Sequence, residues 1–178
     1  MFQPKAVQQQ TRKKNARKIY ALIFISGMML TSCAHIELQP KDQELLKLQS
    51  FAKSVAKHIY DNDPNTYMDS QDALREEVTP QILRQLQECS LSPKSGPEAK
   101  KKLQSMREND GEGGLKIEWA DFAGKATSSG LVPVEVKGVR GNATHAEKFD
   151  VILYVGYKPK TEGAKSQEPI IGEIEFKK

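Results

Sequence analysis

The spacing of apolar residues changes period once along this chain, near residue 114, and that change decides the fold class. In AEKFDVILYVGY (146–157), Phe149, Val151, Leu153, Val155 and Tyr157 fall at every second position, with Ile152 and Tyr154 between them. Side chains of a strand alternate between its faces, so this segment reads as a central strand covered on both sides. LVPVEVKGVR (131–140) sets Val132, Val134 and Val136 on one face. Pro133 lacks a ladder donor, which predicts an edge or a bulge where that strand begins. LKIEWADFAG (115–124) alternates around Ile117 and Trp119, and IIGEIEF (170–176) supplies the last strand. The stretches between them, KATSSG, GNAT and the longer KPKTEGAKSQEP, are polar and turn-rich, as hairpin connections are.

Upstream the period is three to four. Across 41–63, Leu45, Leu48, Ala52, Val55 and Ile59 form a stripe that Phe51 widens, so an amphipathic helix is expected. Asp42 is placed to cap its start, and Asn62-Asp63-Pro64 to stop it, because proline disfavours a helical residue before it. His58 falls in the last turn, where a cation meets the negative end of the helix. Asp69 or Ser70 is expected to cap a short helix over QDALREEV. Thr79-Pro80 then restarts the chain, with threonine at the N-cap and proline in the first turn. Ile82, Leu83, Leu86 and Cys89 make the apolar face of that next helix. Ala99, Leu103 and Met106 mark a weaker one, and NDGEGG (109–114) ends the helical half. Helices first and a strand meander after them imply an α+β domain: N-terminal helices packed on one face of a curved antiparallel sheet of about four strands.

The N-terminus carries a different message. Residues 1–18 hold Lys5, Arg12, Lys13, Lys14, Arg17 and Lys18 and no acid. The mostly apolar run 19–30 follows, then small polar residues. This is the order of a secretory signal, and the run is shorter than the roughly 20 residues a membrane span needs. Leu30-Thr31-Ser32-Cys33 resembles the lipobox of bacterial lipoproteins. That resemblance implies cleavage before Cys33, a diacylglycerol on its thiol, and further acylation of its amine. Several acyl chains hold firmly where one alone is marginal. Ala34 at the next position, rather than an aspartate, implies the outer membrane. The expected organisation is a signal peptide over 1–32, a polar tether over 33–41 and a periplasmic domain over 42–178.

This division reassigns the charge. The chain has 27 basic and 23 acidic residues, formally +4. Six of the bases and none of the acids lie in 1–32, so the remainder carries 21 against 23, formally −2. A nucleic-acid partner loses its main support, and the basic run KSGPEAKKK (94–102) reads as a solvated helix face. Cys33 and Cys89 are the two cysteines. A lipid on Cys33 leaves Cys89 unpaired, either as a small apolar helix residue or as one end of an intermolecular bridge.

The order of elements is similar to the cone-shaped nuclear-transport-factor-like fold. More narrowly it resembles the periplasmic assembly subunits of type IV secretion and conjugation machines. The resemblance rests on FAKSVAKHIYDND (51–63), on NTYMDSQDALREEVTPQILRQL (65–86) with its Val78-Thr79-Pro80 restart, and on VPVEVKGVR and FDVILYVGY. It implies assembly through surfaces, and no catalytic residues transfer from it. Those subunits keep a membrane span where this chain has a lipobox, so an accessory lipoprotein of such a machine is the closer expectation.

The chemistry-bearing residues support that reading over catalysis. His35, His58 and His145 lie far apart in sequence, and there is no HExxH, paired CxxC or glycine-rich phosphate loop. No serine sits in a GxSxG elbow. The triplet Asp61-Asn62-Asp63 lacks the glycine and terminal glutamate of a calcium loop. Tyr60, Tyr67, Asp69 and Asp121 are the candidates for a site inside a cone mouth. Trp119, Tyr60 and Tyr67 are either its lining or ordinary core aromatics. The expectation is therefore a structural or interaction lipoprotein of an envelope complex. It is no enzyme, carries no cofactor or metal, and has protein partners and a membrane partner through Cys33. The alternative is a small-ligand-binding cone-fold lipoprotein, with an enzyme on that fold ranked behind it.

Overall fold

The computed structural model describes residues 40–108, 114–141, 145–160 and 166–177. The signal segment, Cys33, His35 and nearly all of the expected tether lie outside the described residues. Four helices come first: α1 (Pro40–Tyr60), α2 (Tyr67–Glu77), α3 (Pro80–Glu88) and α4 (Gly96–Glu108). Four strands follow: β1 (Gly114–Phe122), β2 (Val132–Gly141), β3 (Ala146–Tyr157) and β4 (Pro169–Phe176). They form one antiparallel meander in the order β1-β2-β3-β4, so the chain is α+β as its two periods require. None of the described helices is long and apolar enough to cross a membrane.

α1 begins at Pro40, so Asp42 lies inside its first turn rather than capping it. Proline is tolerated there because its missing N–H would have no helical partner anyway. The helix ends at Tyr60, before the Asn-Asp-Pro stop. Asp61 organises the link to α2: its carboxylate accepts from the Asp63 N–H at 3.0 Å, the Thr66 hydroxyl at 2.8 Å and the Ser70 hydroxyl. This corrects the expected capping. α2 starts at Tyr67, and Ser70 is drawn inward to Asp61 while Asp69 stays exposed. His58 also ties the helices, its Nδ1 lying 2.7 Å from Glu77 Oε2. Thr79 caps α3 as expected, accepting from the Ile82 N–H at 3.5 Å with Pro80 in the first turn. Cys89 is the C-cap of α3 and exposed, not part of its apolar face. The chain turns away there through Ser90, whose φ is 59°.

One core joins the layers. Leu48, Ala52, Val55, Ala56, Ile59 and Tyr60 of α1, with Leu74, Ile82 and Leu86, meet Val134, Val136, Phe149, Val151, Leu153, Val155, Ile171 and Ile174. The register puts these sheet residues on one face: Val134 opposes Leu153, Val136 opposes Val151, and Leu153 opposes Ile174. Leu45 stays out of this core, 37 % exposed. Every residue from 41 to 47 is exposed, so α1 starts beyond the sheet it packs on.

Pro133 lies in β2, between two strands, and not at an edge. Its carbonyl accepts from the Ala123 N–H at 2.9 Å. The amide and carbonyl of one strand residue point to the same side, so the missing donor faces the β1 side just where β1 ends.

Candidate interaction surface

The sheet has a helix-covered face and an opposite one, and a register slip in β1 decides that Trp119 reaches the second. β1 and β2 slip register between Ile117 and Trp119, with Glu118 as the extra residue. Ile117 opposes Gly138 on the helix side, whereas Trp119 opposes Lys137 on the other. A bulge inverts the alternation beyond it. Trp119 therefore stands 41 % exposed on the face away from the helices, not beside Ile117.

Around Trp119 runs a ladder of opposite charges. The Lys137 amine lies 5.4 Å from the Trp119 ring centroid, 3.1 Å from Asp150 Oδ2 and 3.3 Å from Glu135 Oε1. Lys177 reaches Glu135 from beyond β4. On β3 and β4, Tyr154 donates to Glu175 at 3.3 Å. Beneath these groups Ile152 is only 8 % exposed, flanked in register by Glu135 and Glu175. Asp150 Oδ1 is buried without a hydrogen-bond partner among the described residues.

The hydrogen bond from Lys177, then that from Lys137, holds the Glu135 carboxyl below its ordinary range. Asp150 first and Glu135 second raise Lys137, and Glu135 raises Lys177. A depressed acid contributes above its ordinary pKa and loses that contribution as pH falls through the lower folded value. A raised lysine contributes below its ordinary pKa and loses that contribution as pH rises through the higher folded value. The ladder is thus intact across neutral pH and opens only at strongly acid or alkaline pH. Exposed pairs add little stability singly; what the ladder supplies is a fixed charge pattern around an aromatic ring.

The edges of the sheet are engaged where the helices meet them. Gln49 of α1 donates to the Ala120 carbonyl on β1 at 2.7 Å. The Asp121 side chain accepts from the Phe122 N–H at 2.8 Å. On the other side the α2–α3 link pairs with β4: Val78 bridges Ile171, and the Thr79 N–H donates to the Ile171 carbonyl at 3.1 Å. Unpaired strand edges invite pairing with other chains, and these contacts occupy part of each edge. Gln49→Ala is expected to free the Ala120 carbonyl at a cost of about 1 kcal/mol. It should also increase concentration-dependent self-association in light scattering. Unchanged monomer at high concentration would show that Gln49 does not guard this edge.

The other candidate residues lie elsewhere. Tyr60 is 6 % exposed and stacks on Phe149, with ring centroids 3.9 Å apart and planes at 16°. Burial pushes its hydroxyl up to about 12, partly offset by Arg140, which lies 5.5 Å above the ring. Tyr67 is fully buried, its hydroxyl likewise pushed up to about 12 by burial, with the Lys102 amine 5.5 Å from its ring centroid. Trp119 is on the opposite side of the sheet from Tyr60, so the fold does not bring the three aromatics together. His58 pairs with Glu77 and His145 is exposed beside β3, so these histidines do not converge. Among the described residues no group of three or more histidines, cysteines and carboxylates could hold a metal. Sequence reasoning missed the charge ladder, although the alternating Glu135/Lys137 and Glu173/Glu175 positions signalled an open sheet face. Comparisons with protein-family models, with curated proteins and with solved structures find no match to this chain.

Proposed function

We propose that this chain is a lipid-anchored protein of the periplasmic face of the outer membrane, acting as a structural or interaction component of an envelope complex. Type IV secretion or conjugation machinery is the machine this reading favours. The observation that carries the interaction role is the open sheet face, where Trp119 stands in a fixed charge ladder while the helices engage the sheet edges. Tryptophan is enriched among the few residues that dominate protein–protein binding, and flanking polar groups set register and exclude wrong partners. The anchoring role rests on the basic, apolar, small-residue order that ends at Cys33. The reading assigns the domain no catalytic step.

Two measurements test the two halves separately. Cys33→Ser is expected to remove the acyl mass and release the chain from the outer-membrane fraction. If the variant still partitions with that membrane and still begins at residue 33, the lipid anchor is wrong. For the surface, a photo-crosslinking amino acid in place of Trp119 should give discrete protein adducts in intact envelopes. The same probe at Lys57, exposed on α1, should give none. Equal labelling from both positions, or none from residue 119, would remove the role assigned to this face.

A further inference from the structure

A cleft of about 460 Å³ opens between the start of α1 and the β3–β4 end of the sheet, away from the Trp119 surface. Leu48, Tyr157 and Pro169 give it apolar floor, while Glu44, Lys47 and Gln167 bring one acid, one base and one carboxamide to its wall. Burial first, and the nearby Glu44 carboxylate second, hold the Tyr157 hydroxyl above its ordinary range. Among the described residues the wall thus holds one acid, one base and one further carboxamide. Gln43 and Ser166 complete the polar lining.

The volume suits a ligand of disaccharide size, within the range of natural small-molecule sites. A strongly charged ligand would meet an opposing charge on either side. An apolar one would desolvate the Lys47 amine without offering it a partner. Carboxamides, carboxylates and amines above an aromatic and aliphatic floor match a molecule with hydroxyl and amide groups at its rim and C–H bonds on its ring faces. We infer that this cleft binds a neutral, polyhydroxylated ligand, an oligosaccharide segment. The inference stands apart from the proposed assembly role, since the cleft and the open sheet face are lined by different residues.

The full chain, purified in detergent, tests this by calorimetric titration with three neutral probes: chitotetraose, cellotetraose and maltotetraose. Saturable binding of at least one is expected. Gln167→Ala and Lys47→Ala, both at exposed positions, should each weaken it about fivefold, the factor one ordinary hydrogen bond carries, with an unchanged melting midpoint. Trp119→Ala should leave it unaltered. Absence of saturable binding to all three sugars would overturn the inference. So would binding that is indifferent to both cleft variants, or a preference for an equally sized anionic or cationic sugar. Loss of membrane association or of crosslinking at residue 119 leaves this result untouched, so the two readings fail separately.

Discussion

Gly138→Ala is expected to destabilise the domain by about 3 kcal/mol, the upper end of what overpacking costs. Gly138 opposes Phe149 in the β2–β3 register and Ile117 in the β1–β2 register, on the face that meets the helices. A methyl group there would lie 2.5 Å from Phe149 Cζ and 2.5 Å from the Lys116 carbonyl oxygen. The ring cannot swing away freely, because Tyr60 is stacked on it and is itself buried. The carbonyl cannot retreat without distorting β1 next to its bulge. At roughly 3 °C per kcal/mol for a domain of this size, the melting midpoint should fall by roughly 10 °C. Thermal melts followed by circular dichroism measure it. Adding Phe149→Leu, which shortens the clashing ring, should recover part of the loss. A fall of less than about 1 kcal/mol would mean that the close approach of ring and backbone is not rigid.

Leu153→Ala should cost about 3 to 4 kcal/mol, within the range for deleting a buried leucine. Leu153 is fully buried near the middle of β3, with Val134 and Ile174 beside it on the flanking strands. Both neighbours are pinned in register, so little collapse into the cavity is possible. The adjacent residue gives an internal comparison. Ile152 is nearly as buried, at 8 % exposure, but it lies under long side chains on the open face. Those side chains can settle over a shortened residue, so Ile152→Ala should cost less than half as much. Urea titrations of the two variants, with unchanged slopes, decide this. Equal losses would mean that the open face is packed as tightly as the helical one.

Most of the fold was legible because it depends on local rules. The period of two in FDVILYVGY set the faces of β3, the Asn-Asp-Pro triplet stopped α1, and Thr79-Pro80 restarted the chain. What escaped depends on distant partners. The alternation in LKIEWADFAG is regular as written, and nothing local marks Glu118 as the residue that inverts it. Leu45 fits the stripe of α1 but precedes the sheet that would bury it. Cys89 fits the stripe of α3 but falls where that helix ends. Ser70 resembles a cap in sequence, yet the Asp61 carboxylate claims its hydroxyl. The cleft beside Tyr157 was invisible for the same reason: its walls come from the two ends of the described domain.

The pairing of Thr79 with Ile171 bears on the order in which the chain can fold. β4 is the last strand made, yet it receives the link between α2 and α3 as well as completing the sheet. Contacts between segments so far apart in sequence form late, because chain entropy must be given up before they return any energy. The helical layer therefore has no finished edge until β4 arrives. A partly emerged chain would present Val78 and the unpaired edge of β3, the exposed surface that makes incomplete chains prone to aggregate.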